Sequence, residues 1–244
     1  HQHNGEYWLG KSEPAGLSAN KMYHYGLDLC LRGYAVLCPD HLCFEDRRPP
    51  EYRRMESGDL QHGNYERLEF TSRLMEGSTL QAKYLWDLTR AVDLLASLDI
   101  VDPGRIGAIG HSLGGQETLW LAWYDDRIKA AVSSCGFSQA RAIIRDGINH
   151  NFAMYAPGLL QHGDIADLVC GVAPRPFFMA NGAADRIFPV DGVRDIAKRA
   201  EARYAGLGVP DRFRSVVFDG GHSFPDAVKE QAYGFLDRFL KAGP

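Results

Sequence analysis

Ser112, Asp185 and His222 follow one another along this chain in an order that suits acyl transfer. Ser112 lies in Gly110-His111-Ser112-Leu113-Gly114, directly after the apolar run that starts at Ile106 and directly before a helical pattern from Gln116 to Tyr124. A strand, a tight turn and a helix in immediate succession lift a serine Oγ onto the rim of a sheet, and glycines at both flanks remove side chains that would collide in the turn. A serine hydroxyl is a weak nucleophile at neutral pH. It needs a base within hydrogen-bond reach, and that base needs a carboxylate to orient it.

Both partners are available downstream, each just past an apolar run that reads as a strand. Asp185 follows Phe177 to Ala180 in Asn181-Gly-Ala-Ala-Asp185, and His222 follows Phe213 to Phe218 in Asp219-Gly-Gly-His222. Loops at the carboxyl ends of parallel strands are where open α/β sheets build their sites. Asp191, Asp219 and Asp164 are alternative acids, and Asp185 could instead cap the helix after it. His150 and His162 stand in an irregular stretch and are poorer bases, while His111 reads as a packing residue beside the nucleophile. The backbone N–H of Leu113 is the expected first oxyanion donor, and by position the N–H of His3 is the second. His1-x-His3 has no third ligand in recognisable spacing, so no metal is expected.

These side chains need a scaffold, and the apolar periodicity supplies one. Strands are expected at Tyr34–Cys38, from Ile106 up to Ser112, at Ile128–Ser134, Pro176–Ala180 and Phe213–Phe218. Helices are expected at Ser18–Arg32, Thr79–Leu98, Val190–Tyr204 and Pro225–Leu240. The clearest of them carries Leu80, Leu85, Leu88, Val92 and Leu95 as one apolar stripe. Near-continuous apolar strands alternating with helices imply a mostly parallel sheet covered on both faces. Residues 41–77 are polar, charged and weakly periodic, which reads as an insertion over the rim of a single domain spanning 1–244.

The composition is that of a water-soluble globular chain: 45% hydrophobic and 24% charged over 244 residues, with a net charge of −4. That charge gives no electrostatic case for nucleic acid or an anionic membrane, and no apolar run is long enough to span a bilayer. Five unpaired-looking cysteines without a CxxC favour a reducing, cytoplasmic setting. Tyr7, Trp8, Phe188 and Phe224 adjoin the site loops and are candidate pocket walls for a small ester substrate. Arg47 and Arg48 could meet a substrate carboxylate, but a surface pairing with Glu45 or Asp46 is the more ordinary role.

The elbow, Gly220-Gly-His222, Arg32-Gly-Tyr-Ala-Val-Leu-Cys-Pro-Asp40 and Val101-Asp-Pro-Gly-Arg-Ile-Gly107 together resemble the α/β-hydrolase superfamily, in particular its dienelactone hydrolase-like esterases. The resemblance implies a Ser-Asp-His hydrolase of carboxylic esters that works through an acyl-enzyme and needs no cofactor. Dienelactone hydrolase itself uses a cysteine nucleophile, so Ser112 points away from dienelactone and toward an ordinary ester. Sugar-ester deacetylases and serine peptidases of the same fold are the alternatives, as is a non-catalytic or inactive truncated relative. In the family a strand precedes the oxyanion loop and lies between those at Tyr34 and Ile106. That strand has no counterpart before His1, so we expect the sequence to be incomplete at its N-terminus.

Overall fold

The computed structural model describes residues 1–3, 5, 7–49 and 63–241. Four parallel strands, β1 (Ile106–His111), β2 (Ile128–Ser134), β3 (Phe177–Gly182) and β4 (Phe213–Phe218), pair in sequential order in one sheet. Val132 is opposite Phe178, and Ala180 is opposite Val216.

β2 and β3 are largely buried on both faces, β1 is partly so and β4 exposes Arg214 and Val217, and the period of two divides the strand residues between two cores. Ile106, Ala131, Phe177 and Met179 join one apolar cluster, whereas Ala130, Val132, Phe178 and Ala180 join the other. Helices α3 (Leu80–Ala96), α4 (Leu113–Tyr124), α7 (Ile165–Val172) and α8 (Val190–Gly206) cover the first face. Helices α1 (Tyr25–Leu31) and α9 (Asp226–Leu240) cover the second, through Tyr25, Leu29, Val228, Tyr233 and Leu236. α5 (Ala140–Arg145) and α6 (Leu159–His162) also pack on the first core through Ala140, Leu159 and Leu160, and α2 (Asn64–Met75) lies outside both cores.

Local signals explain most element ends. Thr79 caps α3 by accepting the Ala82 N–H at 2.9 Å, and its apolar stripe buries Leu80 and Val92. Asp164 and Asp167 form a reciprocal capping box at the start of α7, a helix that follows the irregular stretch. The expected helix over Ser18–Arg32 is shorter: Asn20 accepts the Met22 N–H and opens a 3₁₀ turn at Lys21–Tyr23, after which α1 begins. The rim segment contributes a 3₁₀ turn at Glu45–Arg47 and α2, with residues 50–62 outside the described set.

One expected strand is absent. Tyr34–Cys38 joins no ladder, because no strand among the described residues lies against it. A groove of about 320 Å³ separates Tyr34–Leu37 from Ile106–Ile109 and is floored by Leu121, Leu236 and Leu240. A strand is defined by its hydrogen-bonded neighbour, so apolar sequence alone leaves this segment unladdered. All five cysteines are free thiols. Among the described residues no helix is long and apolar enough to cross a membrane.

Candidate active site

Ser112 occupies the turn from β1 to α4 with φ 54° and ψ −119°. A non-glycine residue at positive φ costs about 1–3 kcal/mol and is held there only by its surroundings. Here the restraints are visible. The Ser112 N–H donates to the Ser134 carbonyl at 2.8 Å, and a Cβ on Gly110 would stand 2.2 Å from the Gly114 carbonyl. Only hydrogen fits at position 110. Leu113 begins α4, so its N–H belongs to the first turn, whose donors have no partner within the helix.

The loops after β3 and β4 meet in the same place. Ala183 N–H donates to the Phe218 carbonyl and Ala184 N–H to the Gly220 carbonyl, both at 2.8 Å. These bonds set the Asp185 carboxylate against the imidazole of His222, with Asp185 Oδ2 2.7 Å from His222 Nδ1. The other carboxylate oxygen accepts the Ile187 N–H at 3.0 Å, and the side chain is fully buried. The His222 ring lies 4.9 Å from that of His111, the residue preceding Ser112. The elbow and the Asp–His pair therefore share one end of the sheet.

The alternative acids are engaged elsewhere. Asp164 takes the N–H groups of Ala140, Ile165 and Arg141, Asp191 pairs with Arg145 at 2.6 Å, and Asp219 is exposed. His162 is exposed at the end of α6. His111 is wholly buried, with Nδ1 3.0 Å from Ser134 Oγ and its ring against Tyr23 and Phe224. Burial and the neighbouring His222 hold its pKa well below the ordinary value, so it stays neutral beneath the site.

The first residues of the chain run over the elbow: a Cβ on Gly114 would approach the His1 carbonyl oxygen to 2.9 Å. The His3 side chain anchors this segment to α2 through Glu66 at 2.9 Å, and the Tyr7 hydroxyl donates to the same carboxylate at 2.6 Å. Tyr7 is buried and stacks on Phe44, and Trp8 is half-exposed. Phe188 is buried between the rings of His150, at 4.7 Å, and His222, at 5.7 Å. Phe224 is completely buried beneath His111 and packs in the α1–α9 core. Arg47 donates to Asp87 and to the Asp40 carbonyl, and Arg48 Nε donates to the Glu45 carbonyl.

Among the described residues, two groups have the composition of a metal site. Cys135, Asp185 and His222 bring their ligand atoms within 4.8 Å of one another. Burial pushes the Cys135 thiol up to about 12, so it is protonated at neutral pH and a poor ligand. Asp40, Glu45 and Asp46 already surround the Lys11 ammonium, at 2.6, 3.2 and 2.6 Å.

His150 belongs to the irregular stretch, which makes it a poorer base candidate by sequence. Its ring nevertheless packs on Phe188 within the range of the charges on His222, His3 and Asp185.

A family model described as the alpha/beta hydrolase fold matches residues 14–162. YtaP of Bacillus subtilis (strain 168), named only as a hydrolase, is 34% identical over 243 residues, covering 98% of this chain and 77% of its own. A structure titled as an acetyl xylan esterase from Bacteroides fragilis superposes with a TM-score of 0.69 at 16% identity, covering 96% of this chain and 66% of that one. A glucuronoyl esterase from Solibacter usitatus superposes with a TM-score of 0.56 at 22% identity over 68% of this chain, which spans half of that protein's length.

Proposed function

Since the chain belongs to the alpha/beta-hydrolase family, we propose that it is a serine esterase in which Ser112 attacks, His222 moves the proton and Asp185 orients the imidazole. The observation that carries this reading is the 2.7 Å hydrogen bond from His222 Nδ1 to a fully buried Asp185, at the end of the sheet where Ser112 is held at positive φ.

In the first step His222 Nε2 takes the Ser112 proton as Oγ adds to the ester carbonyl. Asp185 keeps the Nδ1–H tautomer in place and stabilises the imidazolium. In this reading the backbone N–H groups of Leu113 and His3 receive the developing oxyanion. Collapse expels the alcohol, which His222 protonates. Water then adds to the acyl-enzyme with His222 again as base and releases the acid. A neutral His111 beneath His222 adds no repulsion to the imidazolium.

The glucuronoyl and acetyl xylan esterases named above favour a sugar ester as substrate over a simple aliphatic one. Purified protein and Ser112→Ala are compared on p-nitrophenyl acetate and on acetylated xylan. The reading requires hydrolysis by the parent protein and none by S112A. Equal rates in both would overturn it.

A further inference from the structure

A buried polar relay reaches the candidate site from the interior of the helical layer. Glu117, Gln81 and Gln116 are nearly inaccessible, at 1%, 4% and 5% exposure. Gln81 Nε2 donates to Glu117 Oε2 at 2.7 Å, and Gln116 Nε2 donates to Gln81 Oε1 and Glu117 Oε1 at 2.9 and 3.2 Å. The amide nitrogen of Gln116 is thus committed, which leaves its Oε1 to accept from Asn151 Nδ2 at 3.3 Å.

Asn151 has a fixed orientation as well. Its Oδ1 accepts the Met154 N–H at 3.1 Å, so its Nδ2 must face away, toward Gln116 and toward His150 Nδ1 at 3.2 Å. An amide nitrogen only donates, so Nδ1 of His150 is the acceptor and the ring proton resides on Nε2. Burial lowers the His150 pKa to about 4, which keeps the ring neutral. Its Nε2 is shielded from solvent and has no hydrogen-bond partner among the described residues. The Ile187 carbonyl favours the protonated ring but lies outside hydrogen-bond geometry. A buried donor left unmet is costly and calls for a specific explanation.

We propose that His150 Nε2–H is a substrate-binding donor that donates to a neutral oxygen, a hydroxyl or an ether, lying near the scissile ester. The inference rests on the serine-esterase reading and adds its substrate class: esters with an oxygen substituent close to the carbonyl, on the acyl or the alcohol side. Three observations converge. The relay fixes the tautomer as a donor, the ring packs on Phe188, and Phe188 in turn packs on His222. A neutral donor selects an uncharged acceptor and gives no charge attraction to a carboxylate. The aromatic face of Phe188 beside it suits the apolar part of the same group.

Two isosteric pairs test this. p-Nitrophenyl methoxyacetate against p-nitrophenyl butyrate replaces one acyl methylene with an ether oxygen, and 2-methoxyethyl acetate against butyl acetate does so on the alcohol side. The readout is the ratio of kcat/KM within each pair, which cancels intrinsic reactivity when variants are compared with the parent. His150→Leu removes the donor and is expected to lower the ratio in one pair by about threefold to tenfold, the range of one neutral hydrogen bond. Asn151→Asp keeps the volume but can only accept, so the imidazole proton moves to Nδ1. The same ratio then falls although no cavity is made. Which pair responds tells whether the acyl or the alcohol side is read. Unchanged ratios in both pairs for either folded variant, or a uniform loss across all four esters, would overturn the assignment. S112A separates the two readings: continued hydrolysis by S112A sinks the serine mechanism, whereas unchanged ratios beside an inactive S112A sink the His150 role alone.

Discussion

Gly182, at the end of β3, approaches Gly221 so closely that a Cβ on it would stand 2.2 Å from the Gly221 carbonyl oxygen and 2.5 Å from that of Gly220. The contact joins the loop carrying Asp185 to the loop carrying His222, and the Ala184 N–H bond to Gly220 lies beside it. The Asp185–His222 hydrogen bond therefore depends on backbone proximity at a position with no side chain.

Gly182→Ala should force the two loops apart. The expected loss of stability is about 1–3 kcal/mol, the usual cost of overpacking, read from urea unfolding. Ester hydrolysis should fall further than the loss of folded protein accounts for. A variant with unaltered midpoint and rate would mean that the loops yield without consequence.

Asp185→Asn should leave the fold intact and remove the orienting carboxylate. An amide nitrogen facing Nδ1 would favour the wrong imidazole tautomer, and kcat should drop on the order of 10⁴-fold. Labelling of Ser112 by a fluorophosphonate should slow in parallel. Rapid labelling in D185N would assign the acid role to another residue.

Asp164→Ala tests the opposite expectation. The buried carboxylate ties the N-terminus of α7 to that of α5 through the N–H groups of Ile165, Ala140 and Arg141. Its removal should cost about 2 kcal/mol or more, since a cap is lost and buried donors are orphaned. Hydrolysis per folded molecule should match that of the parent. A selective loss of kcat in a stably folded D164A would place Asp164 in the chemistry.

Glu117 gives the protein a pH-dependent stability. Burial raises its pKa from 4.5 to about 8 in the folded state, the two amide donors opposing that rise only in part. Between those values the native state holds a proton that the unfolded chain releases. The contribution is complete below pH 4.5 and is lost as pH rises toward about 8, with an upper bound of about 5 kcal/mol. Urea midpoints at pH 5 and pH 8 should therefore separate more in the parent than in Glu117→Gln. Equal separation in both would show that the carboxyl does not titrate in this window.

The elements that position the site carry local signals, which is why their bounds were legible. The apolar runs of β2 and β4 match the structure from end to end, and Thr79 marks the start of α3. α7 also carries a local signal, the Asp164-x-x-Asp167 spacing before an apolar run. Tyr34–Cys38 has the composition of a strand, yet pairing is a relation between two segments, and a segment's own residues do not supply its partner.

The sequence by itself determined the order of the chemistry-bearing residues, the turn that Ser112 must occupy and the loops on which Asp185 and His222 stand. Periodicity, glycine placement and capping act over a few residues, so a linear reading captures them. Only the tertiary structure set Asp185 against His222 and engaged Asp164 and Asp191 elsewhere, turned His3 toward Glu66, sank Phe224 into the core, and carried His150 to the side of Phe188. Those outcomes follow from contacts between residues distant in the chain, such as Gln81 with Glu117 and Asn151 with Gln116. Their distances and burial arise when the layers pack, and no spacing along the chain encodes them.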